Sequence, residues 1–500
     1  MVTKLTLAIA TLAMMWAAMW TASGDASAEG RPKYGSSITG TLLEEPLSLD
    51  PVSVRTHSDL VLVSMVFDTL YRIKGDVVVP HLASALPDES DPLHVRISLR
   101  PGVLFSNGRK LKADDVVRSL ERLRRSNRYF YMGAVVSIES VVADTGVEEI
   151  VFTLRRADPR LSIRLSDVHT SVSAQGRVPT WRRAIGTGPF HVVERSSARR
   201  EVRLKASEKH FAGRTYLDEL KLRWHDDKSS EARQYESGSA QLSSRGSIAF
   251  AGHQPKYRTK NIQSRARILT YLGFGKAQPL DQEAEFRAIV SAAIGRAGMM
   301  KMGSGEEIVP STSPVPTETQ RRRVSRKAGL TPDLQRVTTL MKSLIPRYPA
   351  LKLGSLSLEL IVNSSRPDDA AIGAKVAAAL FAFGIRTRIV SLSASAFARR
   401  LRTGAYDIYV GQLVDSSVFA SDTLRAAFAV SGQRVVANSL ASLKTRFERD
   451  YPIVPLFHRS LRVHYRGDLQ GVRFAPHFGA VGGTWLGFDD IHLIGEPEKN

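Results

Sequence analysis

Twelve histidines and no cysteine limit the chemistry open to this chain. The lack of thiols excludes a disulfide framework, Cys-ligated zinc, a cysteine nucleophile and a lipid anchor on an N-terminal cysteine. Neither H-E-x-x-H nor G-x-S-x-G occurs, and there is no complete phosphate-binding loop. His225-Asp226-Asp227 is a potential set of metal ligands, and a strand end entering a turn explains it equally well. Gly186-Thr187-Gly188 starts like a phosphate loop but lacks the third glycine and runs into Pro189. The acid pairs Glu44-Glu45 and Asp226-Asp227 are neighbours in sequence, which does not place two carboxylates across a substrate. Nothing here demands catalysis, so no catalytic residue, metal or cofactor is assigned and the chain is read as a non-enzyme.

The elements that would position any site alternate between strand-like and helix-like stretches, pointing to an α/β architecture. Val95, Ile97 and Leu99 alternate with polar residues as a half-buried strand, and Pro101-Gly102 reads as a turn. Asp114-Asp115 opens a helix with Val116, Val117, Leu120 and Leu123 on its apolar face, the acids suiting its positive N-terminal end. Phe286, Ile289, Val290, Ala293 and Ile294 recur at helical spacing, with Gly298 as the stop. Residues 355–390 read as a strand–helix–strand unit of βαβ size, its helix stopped by Gly384. Residues 303–332, rich in Gly and Pro and carrying Arg321-Arg322-Arg323, read as an exposed loop or lid.

The chain has 500 residues, a prior of roughly three domains. Its 43% hydrophobic and 24% charged residues are globular values, excluding disordered and collagen-like classes. Lys and Arg number 70 against 49 Asp and Glu, a net charge of +21. Such a charge could suit a polyanion partner, but the basic residues are scattered along the chain, which favours a basic bias spread over a solvated surface. Aromatic content of 7% is low for stacking on single strands. Lys4, the apolar run Leu5 to Trp20 and Ala26-Ser27-Ala28 form a secretory signal, with cleavage expected after Ala28. Export argues against nucleic-acid binding and for a free periplasmic protein.

A series of short phrases then follows in order. It begins with Leu49-Asp50-Pro51, Val66-Phe67-Asp68-Thr69-Leu70-Tyr71 and Pro80-His81-Leu82-Ala83. Next come Leu99-Arg100-Pro101-Gly102, Phe105-Ser106-Asn107-Gly108, Ala113-Asp114-Asp115-Val116 and Gly186-Thr187-Gly188-Pro189-Phe190. Tyr271-Leu272-Gly273-Phe274, Gly404-Ala405-Tyr406-Asp407 and Ile453-Val454-Pro455-Leu456 complete it. The series, from about residue 38 to 490, resembles the extracytoplasmic solute-binding proteins of family 5, the oligopeptide- and dipeptide-binding group of ABC importers.

The resemblance implies an α/β, two-lobed periplasmic binding protein of type II (class C) with an extra inserted domain. The implied division is 1–28 signal peptide; 29–57, 186–271 and 473–500 as the core of lobe I; 58–185 inserted in it; and 272–472 as lobe II. It also implies ligand-binding residues. Gly411-Gln412-Leu413-Val414-Asp415 keeps the glycine and acid with which peptide binders of this kind clamp an α-amino group, making Asp415 the first candidate. Gln412 stands where the aromatic is usual, and Gly275 where asparagine is. Tyr129 and Tyr131 fall where a pocket tyrosine would sit, and Arg55 and His57 where the similar chain lines the cleft. The Gly186–Pro189 phrase and Phe105, Asn107 and Gly108 read as backbone geometry.

The expected function is capture of a peptide or peptide-like solute and delivery to an inner-membrane ABC permease, as a monomer with no cofactor. The alternative keeps the fold as an envelope sensor or scaffold, with weak, salt-sensitive contact to an anionic envelope surface. Nickel, haem or sugar cargo stays open, as do peptide length and the permease partner. A secreted hydrolase is the third class, and it lacks a recognisable nucleophile.

Overall fold

The computed structural model describes residues 32–494 except 55, 76, 89, 127–136, 251–252, 303–305, 317–328, 353, 367, 415–418, 434, 436–438 and 476–485. In chain order its main elements begin with β1 (Ser36–Thr41), α1 (His57–Val66), β2 (His94–Ser98), α2 (Ala113–Arg125), β3 (Ile138–Asp144) and β4 (Glu149–Leu154). There follow β5 (Phe190–Ser196), β6 (Glu201–Ala206), β7 (Leu217–Arg223), α3 (Lys228–Glu236), β8 (Leu242–Ser243), β9 (Thr259–Gln263) and β10 (Ile268–Phe274). Next are α4 (Ala284–Ala293), β11 (Ile308–Pro310), α5 (Leu334–Leu344), β12 (Ser357–Asn363), α6 (Asp369–Phe381), β13 (Arg386–Leu392) and α7 (Ala394–Thr403). The chain ends with β14 (Ile408–Val414), α8 (Ala420–Val430), α9 (Leu440–Asp450), β15 (Val454–Arg459) and β16 (Arg462–Arg466).

Local sequence explains these elements. In β2 the alternation buries Val95 and Ile97 and exposes their neighbours. Helix α2 carries Asp114 and Asp115 in its first turn and Arg122, Arg124 and Arg125 in its last, matching both ends of its dipole. Its buried stripe is Val116, Leu120 and Leu123. Helix α1 differs: nine of its ten residues are buried, and Thr56 with Asp59 forms a reciprocal capping box at its start. A helix that is apolar nearly all round belongs inside the fold.

Three main sheets result. A seven-stranded sheet has the order β9-β16-β8-β1-β7-β6-β5, with β7 and β8 parallel to β1. A six-stranded sheet has the order β11-β15-β10-β14-β12-β13, in which β12 is parallel to both β13 and β14. A three-stranded antiparallel sheet, β2-β4-β3, has its own core around Val95, Leu120 and Phe152. The first sheet packs α1 beneath it around Ile38, Leu62, Phe190 and Val463. The second sheet is covered on both faces: Leu360 faces a core with Phe286 and Val376, and the next residue, Ile361, faces one with Phe397 and Phe428.

The β12–α6–β13 unit is the expected strand–helix–strand crossover, closed by Gly384 at φ +76°. Two expectations are corrected. Helix α4 ends at Ala293, well before Gly298, which sits in a separate short helical turn. The break seats Arg296, whose buried guanidinium donates to the carbonyls of Ser291, Ser311 and Pro455. The stretch 303–332 is not uniformly an exposed loop: β11 is an edge strand on β15, and Glu306 and Ser311 are buried.

The chain passes between the seven- and six-stranded sheets twice, from β9 to β10 and back from β15 to β16. The two passages are tied to each other. The Ser264 amide donates to the Leu461 carbonyl and the Leu461 amide to Ser264 Oγ, both at 2.8 Å. Gln263 Nε2 donates to Ser460 Oγ at 2.9 Å. Paired, hydrogen-bonded crossovers give the two lobes a common axis, as hinge closure requires.

Candidate functional site

Between the two lobes lies a cavity of about 350 Å³ whose wall comes from both. Glu44, Glu45 and Thr56 belong to the first; Tyr271, Arg366, Tyr409 and Gln412 to the second. The tyrosines are positioned by glycines. In the β10–β14 register Tyr271 faces Gly411 and Gly273 faces Tyr409, and a Cβ on either glycine would overlap the opposite ring. The rings meet edge-on with centroids 5.7 Å apart, and their hydroxyls lie 3.1 Å from each other. Gly275, also in the wall, is fixed the same way: a Cβ there would overlap the Tyr406 carbonyl oxygen. Its departure from asparagine thus follows from backbone packing.

The electrostatic centre is a buried acid–base–acid row. Arg366 Nε donates to Glu44 Oε2 at 2.9 Å across the lobes, and Arg366 Nη1 stands 3.7 Å from Asp369. Glu44 and Asp369 are 2% and 0% exposed, so two carboxylates share one buried cation. Burial pushes the Asp369 carboxyl up to about 7 despite the nearby guanidinium. A further link is Arg245 of the first lobe, paired with Glu231 and donating to the Ser365 carbonyl at 3.3 Å. The loop before α1 is held by Asp59, which accepts from the amides of Leu47 and Ser48. Burial raises its pKa to about 6 against those hydrogen bonds.

A second cavity of about 350 Å³ lies at the other end of α1, lined by Asp68, Arg72, Arg164, Phe419, Asp422 and Phe488 among others. Arg164 bridges the lobes here: its Nε binds Asp158 at 2.8 Å and its Nη1 binds Asp422 at 3.1 Å. Its guanidinium also lies 4.5 Å from the Phe419 ring centroid, a cation–π contact.

Of the sequence-derived candidates, Arg55, Tyr129, Tyr131 and Asp415 lie outside the described residues. Their flanks are informative for Asp415. Val414 packs on the first-lobe core and Phe419 under Arg164, so the chain on both sides of 415–418 touches the first lobe. His57 is the first residue of α1, 4% exposed, and belongs to the wall of neither cavity, although Thr56 before it does. The other motifs are structural. Asp227 caps α3, Asp226 pairs with Arg200 and His225 contacts Gln234, so the three do not converge. Gly186 and Gly188 lie against the Met65–Val66 backbone, where a Cβ would overlap carbonyl oxygens. Gly108 turns at φ +82°.

Sequence reading missed Arg366, Asp369, Tyr409, Arg164 and Asp422. One signal was present: Arg366 and Asp369 follow the carboxyl end of a parallel strand, the edge at which α/β sheets place ligand-binding loops.

Comparison with known proteins places this geometry. Residues 77–433 match the bacterial extracellular solute-binding proteins, family 5 Middle. A periplasmic binding protein DppA from Helicobacter pylori, solved with the peptide STSA, superposes with a TM-score of 0.76 at 18% identity over 93% of this chain and 99% of that one. The Escherichia coli murein tripeptide binding protein MppA gives a TM-score of 0.76 at 15% identity over 94% and 100%. The HTH-type transcriptional regulator SgrR of Photorhabdus laumondii is 28% identical over 39% of this chain and 34% of its own length. The chain thus spans about a third of that relative. The mixed α/β fold is that of two-lobed periplasmic binding proteins, and the chain belongs to the family 5 bacterial extracellular solute-binding proteins.

Proposed function

We propose that this protein captures peptides or peptide-like solutes between its two lobes and delivers them to an inner-membrane ABC permease. The observation that carries the reading is the cavity walled by both lobes and bordered by Gly411 and Gln412. Closure about the crossovers would enclose a solute with water, which lets one site accept varied side chains. Asp415 is the proposed clamp for the free α-amino group, with Tyr129, Tyr131, Arg55 and His57 as further contacts. The same proposal includes cleavage after Ala28, a monomer in the periplasm, and the division into 29–57 with 186–271 and 473–500, 58–185, and 272–472, with its two lobe boundaries moved to the crossovers at 264–267 and 460–461, because β10 pairs in the six-stranded sheet and β16 in the seven-stranded one.

Substitution tests it directly. Asp415→Ala should abolish binding of peptides with free amino termini and spare N-blocked ones. Equal loss of both would remove Asp415 as the clamp.

A second reading is an envelope sensor or scaffold. Two observations favour it: Gln412 in place of an aromatic wall, and the likeness to a protein named a transcriptional regulator. Peptide binding without any permease-dependent uptake would favour this second reading.

A further inference from the structure

Among the described residues, Asp68, His81 and His210 bring one carboxylate and two imidazoles to a single point, all ligand atoms within 4.8 Å of one another. We infer that this trio is a site for a divalent transition metal of the zinc class, opening toward the second cavity. The three come from different parts of the chain: Asp68 follows α1, His81 follows the short strand Val77–Pro80, and His210 lies between β6 and β7. All three side chains are deeply buried, at 0%, 8% and 4% exposure.

The hydrogen bonds of His210 carry the argument. Its Nδ1 lies 3.2 Å from the Gly213 carbonyl, which can only accept, so the ring proton belongs on Nδ1. In the neutral ring that leaves the Nε2 lone pair buried, with no hydrogen-bond donor among the described residues, and 3.5 Å from Asp68 Oδ2. A lone pair facing a carboxylate oxygen is repulsive, and a cation between the two turns both into ligands. His81 Nε2 lies 2.8 Å from Asp68 Oδ1. In a tetrahedral zinc site ligand atoms stand about 3.3 Å apart; here His81 lies 2.8 Å from one Asp68 oxygen and His210 3.5 Å from the other, with all ligand atoms within 4.8 Å, so side-chain rotations bring the set to that spacing.

The surroundings match an outer shell. The Gly213 carbonyl fixes one histidine tautomer, and Thr187 Oγ1 donates to Asp68 Oδ2 at 2.9 Å. One group competes: Arg72 donates to Asp68 Oδ1 at 2.8 Å. Arg72 is a third exposed and has a second acid, Asp489, at 3.5 Å, so it has somewhere to move. Asp68 and Arg72 both form part of the second cavity's wall, so the proposed ion would enter, and take its remaining ligand, from that side.

The test uses the whole protein, purified without a histidine tag and stripped with a chelator, then titrated with Co²⁺ and Zn²⁺. The inference predicts one Co²⁺ per chain with the intense visible bands of a four- or five-coordinate ion, displaced by Zn²⁺. It also predicts that His210→Gln or His81→Gln weakens Zn²⁺ binding at least tenfold, whereas Arg72→Gln strengthens it by removing the competing cation. A purely structural network would instead leave the wild type with the spectrum of hydrated Co²⁺, and that result overturns the inference. So does stoichiometric binding that both histidine variants retain. If the histidine variants fail to fold, the wild-type spectrum and the Arg72→Gln titration decide the matter.

Discussion

Glu44 and Arg366, 322 residues apart in sequence, meet at 2.9 Å and join the two lobes at the floor of the cleft. Arg366 also faces Asp369, so among the described residues one cation serves two buried acids. This makes the pair asymmetric. Arg366→Met would strand both carboxylates and should cost about 3–5 kcal/mol. Glu44→Gln leaves Arg366 its second acid and should cost clearly less. Urea unfolding of the two variants checks this; equal losses would show that Asp369 does not share the cation.

Asp369 should also set part of the pH dependence of stability. Its folded pKa of about 7 lies above the unfolded value of 3.8. The folded state therefore holds the proton more tightly, and the stabilising contribution is complete below the unfolded value and lost as pH rises through 7. Across that window one such group lowers stability by up to about 1.4 kcal/mol per pH unit. Asp369→Asn should flatten the fall between pH 5 and 7 relative to wild type. An unchanged slope in denaturation midpoints would show that the carboxyl titrates normally.

Gly411 is occupied by space for a ring, not by a need for unusual backbone angles. Gly411→Ala forces the Tyr271 ring from its place over the strand. Overpacking of this kind should cost about 1–3 kcal/mol. Thermal unfolding reads the cost, and tyrosine fluorescence reads whether the ring pair has moved; an unperturbed variant would mean the two strands separate freely.

The positive charge of +21 gives a separate expectation. Many arginines are already paired with acids, as in Arg203–Glu219 and Arg223–Glu201. Any contact with an anionic envelope polymer then rests on exposed charges and should weaken steeply as salt shortens the Debye length below about 10 Å. Retention on an anionic matrix across a salt series measures it, and binding indifferent to salt would exclude the electrostatic contact.

What the sequence shows about the fold follows from local physics. Alternation in 94–98 and the 355–390 crossover are visible because one face of each strand is buried and the period is short. The early end of α4 is not visible, since Arg296 needs carbonyls from Ser311 and Pro455, far along the chain. Strand β11 hides in a Gly- and Pro-rich stretch because three residues on an edge leave no periodicity to read. The site divides the same way. Glu44 stands out only as one of two adjacent acids, and its partner Arg366 is known only once the lobes are assembled. Gly275 looks like drift in sequence, whereas Gly273 and Gly411 stand inside family-like phrases; all three become packing requirements in three dimensions.

Native mass spectrometry of the protein, purified gently from a periplasmic extract and then mixed with free-amino-terminus peptides, tests solute capture between the lobes most directly. The account predicts a discrete added mass that is lost on mild unfolding, either carried from the extract or gained from the peptides. A bare protein mass that stays unchanged with peptides, metals and sugars alike would contradict it.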